Sequence, residues 1–445
     1  MIVPQNRLLF WVTAVVLPFA TLAGVYPAAA LISLALIGCL AVAVLCDAVL
    51  SLNRLSGLKL RCPGIVRASK DRPAKIELLI ENSGRKARHL RIGLSLPELI
   101  QSEHEIVDLR LPEAEWSKLD WPFTGHCRGN FHLNRAYAEA ASVLGFWAVR
   151  AAFPLDCQIR VYPNLLTERK NLAALFLNRG TFGLHAQRQV GKGRDFEKLR
   201  EYIPGDSYDE IHWKATAKRG HPVTKVFQIE RTQEIYVLID ASRLSARSAT
   251  SNGSPGGPPM LERYITAALV LGLAAERQGD LFGLLTFSDK VESFVRARNG
   301  KAHYHACRDA IYALEPRSVT PDYDELASFV RLRLRRRALL LVLTSLDDPV
   351  LAESFVRNMD LLCRQHLVLV NMIKPGGVDP LFRHTDVRTQ DDLYDELRGH
   401  LQWHNLRELQ KVLQRRGVDF SLLENERLSA DLVTQYLNVK RRQLL

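Results

Sequence analysis

The residue types best suited to chemistry cluster in one stretch, "GKGRDFEKLREYIPGDSYDEIHWKATAKRG", from Gly191 to Gly220. Asp206 and His212 supply an acid and a base close in sequence, the pair that general acid/base catalysis uses when both reach one substrate atom. Covalent catalysis needs a nucleophile as well, and no serine or cysteine stands here in a nucleophile motif. The glycines do not form a phosphate cradle, because no apolar strand feeds directly into them and no Gly-Lys-Ser/Thr follows. Titratable residues in a row of charges otherwise pair with one another. The segment therefore reads as a structural or docking element, with catalysis as its rival. Within it the spacing predicts a Gly-rich turn and then a helical register through Phe196, Leu199 and Tyr202. A Pro-Gly break follows, with Asp206 capping the next turn, and then a helix through "EIHWKATAKRG" with Ile211, Ala215 and Lys218 on one face. Trp213 is expected to be buried, so that truncating it to Ala would cost on the order of 3–5 kcal/mol.

Elements on either side must hold this stretch. From Glu234 onward short apolar runs alternate with an amphipathic one. "EIYVLIDAS", "LFGLLTFSD", "ALLLVLTSLDD" and "HLVLVNMI" predict buried strands, and "MLERYITAALVLGLAAERQGD" predicts a helix. That is the rhythm of an open parallel α/β sheet. A Ser/Gly/Pro-rich loop, Ser248 to Pro259, interrupts it. On the N-terminal side, from Gly57 to about Tyr162, "KIELLIEN", "HLRIGLSLP" and "RGNFHLNRAYAEAA" predict short strands punctuated by Asn-Ser-Gly, Pro and Gly. They suggest a small antiparallel sandwich. His126 and His132 lie there without partners at metal-ligand spacing and are expected to be strand or surface residues.

Two uncharged apolar runs open the chain, Leu8 to Tyr26 and Ala28 to Cys46. Each matches the length that a bilayer core requires. The stretch Gly24-Val25-Tyr26-Pro27 leaves room for a tight reversal, and Pro18 is expected to kink the first helix. The first run is long and a second follows at once, which argues against a cleavable signal peptide. Arg7 precedes the first span; Arg54, Lys59 and Arg61 follow the second; the loop between carries no charge. The positive-inside rule then predicts a multi-pass inner-membrane protein with both termini in the cytosol. Asp47 is expected at the cytoplasmic edge, in reach of water. The seven cysteines are odd in number, widely spaced and without a Cys-x-x-Cys, which fits a reducing compartment and argues against a disulfide framework or a zinc site. A formal charge of +12, much of it beside apolar segments, favours membrane lipid as an anionic partner. The strongest charge run, Arg331 to Arg337, reads as a solvated helix end before a strand at Ala338. No aromatic residues interleave with its arginines to stack bases, and no nucleic-acid partner is expected.

The signature stretch carries a family resemblance. In "REYIPGDSYDEIHWKATAKRG", followed by "VTKVFQIER", the residues Arg200, Tyr202, Pro204, Gly205, Asp206, Ile211, Trp213, Lys214, Ala215 and Ala217 closely resemble the signature of the domain-of-unknown-function 58 family. His212 stands where such proteins often have Asp or His. "CRGNFHLNRAYAEAASVLGFW" is similar to the family's Arg-Gly-aromatic strand followed by Asp-Pro-Leu-Gly-Leu-Phe; here "SVLGFW" replaces the Asp and Pro, and any role of that Asp is lost. "RRGVDFSLLENERLSADLVTQYLNVKRRQLL" resembles the family's C-terminal segment, so that with the paired spans the resemblance runs over nearly the whole chain. It implies a von Willebrand factor A-like C-terminal domain and a non-enzymatic adaptor. Such proteins are thought to work with MoxR-type AAA+ ATPases in assembling or remodelling envelope or metalloprotein complexes. A-like domains often bind Mg²⁺ through Asp-x-Ser-x-Ser, a Thr and a second Asp, a set of hard oxygen ligands. The resemblance maps these onto Asp240 and Ser242, with Thr320 in "SVTPDYDEL" and Asp347 in "LTSLDD", Asp348 being a rival for the last. The third position is Leu244, with Ser245 one residue late, so the site is degenerate and Mg²⁺ is an optional cofactor.

The expected architecture is a multi-domain α+β chain. It comprises a transmembrane hairpin over 1–54, a β-sandwich-like domain over 55–165, a connecting segment with the signature over 166–232, and an A-like doubly wound α/β domain over 233–445. The expected function is that of a membrane-anchored adaptor. The alternative is a metal-assisted hydrolase using Asp240 and Asp347, or Asp206 with His212.

Overall fold

A computed structural model of the chain describes all residues except 84–87, 113–115, 167, 169, 171–172, 174–189, 205, 229–232, 249–257, 382–388 and 443–445. The described residues form two compact units, Met1–Asn164 and Leu165–Leu445.

The first unit opens with strand β1 (Ile2–Pro4), followed by two apolar helices, α1 (Asn6–Val25) and α2 (Pro27–Ser51). Both are long and apolar enough to cross a membrane, and almost none of either apolar stretch is buried. Pro18 has no N–H and its ring crowds the preceding turn. The helix accommodates it with a π-helical turn over Val12–Val16. Nine strands follow: β2 (Leu58–Arg61), β3 (Ile65–Ser69), β4 (Pro73–Asn82), β5 (Arg88–Leu94), β6 (Ile100–Gln101), β7 (Ile106–Leu111), β8 (Trp116–Gly125), β9 (Gly129–Ala141) and β10 (Trp147–Tyr162). One sheet runs β1-β10-β9-β5-β7 with β3 also on β10; the other runs β2-β4-β8-β6. Alternation along β4 explains the layering: Ile76, Leu78 and Ile80 are fully buried, while Lys75, Glu77 and Leu79 face out. They share one core with Trp121 of β8, Leu133 of β9 and Ile159 of β10. The unit departs from a purely antiparallel arrangement in one place, where β3 pairs β10 in parallel from Ile65–Gln158 to Ser69–Tyr162.

Two tertiary features here correct or extend the sequence reading. The first is β1, which pairs antiparallel with β10, Ile2 opposite Val149. The residue before α1 and the strands after α2 thus belong to one sheet, and the hairpin leaves and re-enters the same β-body. The second is Asp47. Instead of meeting water it is 1% exposed. One carboxylate oxygen accepts from the Ser142 hydroxyl at 2.6 Å and the Phe146 N–H at 3.3 Å, and the other accepts from the Leu144 N–H at 3.0 Å. Trp147 Nε1 donates to the Val44 carbonyl at 3.0 Å. The "SVLGFW" turn between β9 and β10 therefore grips the end of α2. A buried carboxylate needs such donors, and only the folded chain brings them from residues far away in sequence.

The second unit begins with an antiparallel pair, β11 (Val190–Glu201) and β12 (Val223–Gln228), bracketing the short helix α3 (Trp213–Arg219). The expected helix through Phe196, Leu199 and Tyr202 is instead the end of β11 and the turn after it. Spacing alone fits a helix there; the partner strand β12 decides otherwise by pairing Leu199 with Lys225 and Arg200 with Thr224. Beyond it lie β13 (Glu234–Asp240), α4 (Met260–Arg277), β14 (Leu281–Phe287), β15 (Val291–Arg298), α5 (Lys301–Ile311), α6 (Tyr323–Arg333), β16 (Leu339–Leu343), α7 (Pro349–Cys363), β17 (Leu367–Ile373), α8 (Gln390–Arg415), β18 (Asp419–Leu423) and α9 (Leu428–Arg442). The sheet order is β15-β14-β13-β16-β17-β18, parallel throughout except for the edge strand β15. Along β13, Ile235, Val237 and Ile239 pack with α4, α5 and α9, whereas Tyr236 and Leu238 pack with α6 and α7. Both faces are covered, which is why these strands are continuously apolar. Gly283 leaves room for the Tyr236 ring, to which an added Cβ would stand only 2.3 Å away. Most of the Ser248–Pro259 loop lies outside the described residues.

Candidate functional site

The signature residues build a small scaffold that buries Ile211 and holds Ile203, Tyr208 and Trp213 outward. Arg200, at the end of β11, donates to Asp206 Oδ1 at 2.7 Å. The other oxygen, Oδ2, accepts from the Ile203 N–H at 3.1 Å and the Thr224 hydroxyl at 3.3 Å. Asp206 thereby closes the Pro204 turn onto β12, and it does not cap the following helix. The Arg200 guanidinium, with the Ile203 N–H, holds its carboxyl below the ordinary carboxylate range. The N-cap of α3 is His212, whose Nδ1 accepts from the Ala215 N–H at 3.0 Å. Gly220 ends the helix in the left-handed conformation at φ 73°. Asp206 and His212 are thus each committed to backbone and strand partners within the motif. Gly205 lies outside the described residues.

Trp213 is 69% exposed, where burial was expected. Ile203 at 57% and Tyr208 at 74% are exposed as well. Tyr208 stacks on Tyr202 with ring centroids 6.2 Å apart. Lys214, Lys218 and Arg219 are exposed on α3. The reason for Trp213 is its place at the first position of a seven-residue helix whose anchors are Ile211 and Val223, both buried. An apolar group held outward on a cross-braced turn is a surface suited to contact. The Ile203 and Tyr208 contribution was missed in the sequence; the available signal was their flanking of a Pro-Gly turn, where side chains cannot all turn inward.

The second group of candidates lies at the C-terminal ends of β13 and β16. Asp240 is completely buried, and its Oδ1 accepts from the Ser242 N–H at 2.8 Å. Its Oδ2 accepts from the Thr344 hydroxyl at 2.6 Å. Tyr323 and Thr344 share a hydroxyl hydrogen bond at 3.2 Å, and Tyr264 donates to the Thr344 carbonyl at 3.2 Å. Burial pushes the Asp240 carboxyl upward, and the bonds from Ser242 and Thr344 offset part of that. Ser242 accepts the Leu244 N–H, and Ser245 donates to the Ser242 carbonyl at 2.8 Å, closing its own turn. Asp347 is bound by Arg247, and Asp348 caps α7 with Arg243 3.9 Å away. Thr320 is exposed in the loop whose Val319 carbonyl accepts from the Arg243 N–H. The structure therefore joins Asp240 to Ser242 and brings in Thr344, while Asp347 is engaged by a guanidinium. As arranged, these residues do not fit a divalent cation, because Asp240's oxygens and Asp347 are already taken. Among the described residues no three His, Cys, Asp or Glu side chains gather at metal-binding range. Thr344 had a signal in the sequence: like Asp240 it is the first polar residue after an apolar strand, and adjacent parallel strands bring such residues to one edge.

The family model described as "Protein of unknown function DUF58" matches residues 198–380. The paired spans and the C-terminal segment lie outside that match. The "Uncharacterized protein YeaD" of Bacillus subtilis (strain 168) is 27% identical over 113 residues, a stretch that spans 25% of this chain and 28% of that protein. An aerotolerance-related membrane protein from Bacteroides fragilis NCTC 9343 aligns at 12% identity and TM-score 0.29, over 46% of this chain and 98% of that one. The conserved hypothetical protein BatB from Bacteroides thetaiotaomicron aligns at 14% identity and TM-score 0.29, over 47% of this chain and 99% of that one. Residues 198–380, which begin with the signature and run through the central strands of the α/β sheet, are thus similar to the DUF58 family.

Proposed function

We propose that this protein is a non-enzymatic, membrane-anchored adaptor that offers the signature motif to a protein partner, a MoxR-type AAA+ ATPase. The observation that carries this reading is the outward display of Ile203, Tyr208 and Trp213 on a turn braced by the Arg200–Asp206 pair. A catalytic constellation keeps its reactive groups free to reach substrate; in this motif Asp206 and His212 are spent on holding the surface. The apolar helices α1 and α2 serve as the anchor, with both ends on the cytoplasmic side. The α/β unit is read as von Willebrand factor A-like, supported by its doubly wound sheet and by Asp240 and Ser242 at the end of a central strand. In this reading Asp240 acts as a polar hub that ties β13 to β16.

The test is co-expression with a MoxR-type ATPase and capture of the tagged full chain from detergent-solubilised membranes in the presence of ATP. Trp213→Ala and Tyr208→Ala are expected to leave thermal stability within about 0.5 kcal/mol, as for exposed positions. They should lower ATPase capture about tenfold or more, as for aromatic anchors. Capture by both variants at the wild-type level would refute the docking role.

A further inference from the structure

A cleft of about 600 Å³ opens in the first unit where the hairpin meets the β-body, between β1, the first turn of α1 and the adjoining ends of β5, β9 and β10. Its lining includes Arg7, His89, Arg91, Glu139, Val143 and Arg150. Glu139 accepts from Arg150 Nε at 2.6 Å and lies 3.7 Å from Arg91, whose Nε also binds Asp108 at 2.9 Å. These carboxylates orient two guanidinium groups on the wall. The third, Arg7, forms no ion pair among the described residues and lies over Gly145. That glycine's φ of +79° lets the 142–147 turn pass close beneath, where an added Cβ would sit 3.1 Å from the guanidinium. In the lining, three guanidinium groups face a single carboxylate.

Exposed apolar side chains adjoin this lining along the chain, and Val143 is part of it. Leu9, Phe10 and Trp11 follow Arg7 directly and are 59%, 64% and 46% exposed. Val143 and Leu144, on the turn clamped by Asp47, are 57% and 51% exposed. Basic groups in a cleft beside exposed apolar side chains match a ligand with an anionic head and a hydrocarbon tail. We propose that this cleft binds the phosphate headgroup of an anionic phospholipid, with its acyl chains lying along Leu9, Phe10 and Val143. Planar guanidinium forks suit phosphate oxygens bidentately, and basic pockets at the cytoplasmic ends of membrane helices are where such headgroups are held. A free phosphate would satisfy the same arginines but would leave Val143 and the neighbouring apolar side chains uncovered. This proposal rests on the membrane-anchored reading.

The experiment uses the full chain with vesicles of phosphatidylcholine alone or mixed with phosphatidylglycerol. Flotation reports membrane association; native mass spectrometry after detergent extraction reports retained lipid. The chain is expected to float with both vesicles and to retain phosphatidylglycerol in preference to phosphatidylcholine. Arg7→Gln should lower that retention about tenfold, the worth of a hydrogen bond to a charged group. Arg150→Gln should lower it similarly, while Arg333→Gln, in the other unit, should leave it unchanged. Because Arg7 is exposed and forms no ion pair among the described residues, Arg7→Gln should unfold at the wild-type temperature, so that loss of lipid reports binding. Failure to float with either vesicle would refute the membrane anchor itself. Flotation with equal retention by wild type and Arg7→Gln, or with no preference for phosphatidylglycerol, would overturn the headgroup site alone. Displacement of the lipid by excess inorganic phosphate would make it a free-phosphate site and overturn the lipid assignment.

Discussion

Asp240 and Asp206 are two aspartates whose surroundings push them in opposite directions. Burial raises the Asp240 carboxyl, so the folded chain holds its proton more tightly than the unfolded chain does. Stability then declines as pH rises from the ordinary carboxylate pKa, about 3.9, toward the raised native value, and levels off above it. Asp240→Asn is expected to remove that slope and to be at least as stable at neutral pH, as read by urea titrations at several pH values. Calorimetry with Mg²⁺ or Mn²⁺ on the full chain in detergent separates the hub from a cation site. Saturable heat absent in Asp240→Asn would show coordination, and no heat at millimolar metal would leave Asp240 as a hub. Asp206 is held low by Arg200, so its contribution is present above the ordinary carboxylate pKa and is lost as pH falls through its lowered native value. The thiols separate in the same way. Burial pushes Cys157 and Cys307 up to about 12, and thiolate is the reactive form. Maleimide labelling of the detergent-solubilised chain followed by peptide mapping should modify exposed Cys127 first and reach Cys157 and Cys307 only on unfolding.

At the scale of elements, single polar anchors decide how segments dock. The end of α2 is tied to the β9–β10 turn through Asp47, and Asp47→Ala would strand the Ser142 hydroxyl and two backbone N–H groups. The expected cost is about 3 kcal/mol, from the desolvation of unsatisfied buried donors, measured as a lowered unfolding midpoint in detergent; Asp47→Asn should lose less. The C-terminal helix α9 is fixed in a similar way. Asp280, 2% exposed at its side chain, accepts from Tyr436 and from Lys440 Nζ, the latter at 2.7 Å, and also from the Gln233 N–H at 3.2 Å. Asp280→Ala leaves the Lys440 ammonium half-buried without its carboxylate, for an expected cost of about 3–5 kcal/mol in urea denaturation.

For the molecule as a whole, the two flanks of the hairpin share one sheet through β1 and β10, so they must lie on one side of any bilayer the helices span. The proposed orientation puts that side in the cytoplasm, because Arg7 and Arg54 flank the apolar helices and the positive-inside rule favours the cytoplasmic side for them. A reporter fused after Leu445 is expected to be active only in its cytosolic form; activity of a periplasmic reporter at that position would reverse the orientation. The Arg331–Arg337 run remains a solvated helix end, with Arg333 over the Phe329 ring at 5.7 Å and Leu334 turned into the core.

Local pattern was enough for much of this molecule. The continuous apolar runs of β13, β14, β16 and β17, the alternation of β4, the amphipathic face of α4 and the length of the two apolar helices are each written within a few consecutive residues, because burial and periodicity act locally. What needed the tertiary structure was everything set by a distant partner. β11 follows from pairing with β12, β1 from an edge offered by β10, and the burial of Asp47 from donors in the β9–β10 turn. Trp213 faces solvent because its short helix is anchored through Ile211 and Val223. Thr344, and not Asp347, reaches Asp240 because parallel strands β13 and β16 end side by side while Arg247 holds Asp347. Spacing along the chain carries hydrophobic periodicity, but the choice among nearby polar groups depends on which counter-charge or donor the fold brings up, and that choice is made only once the sheet has closed.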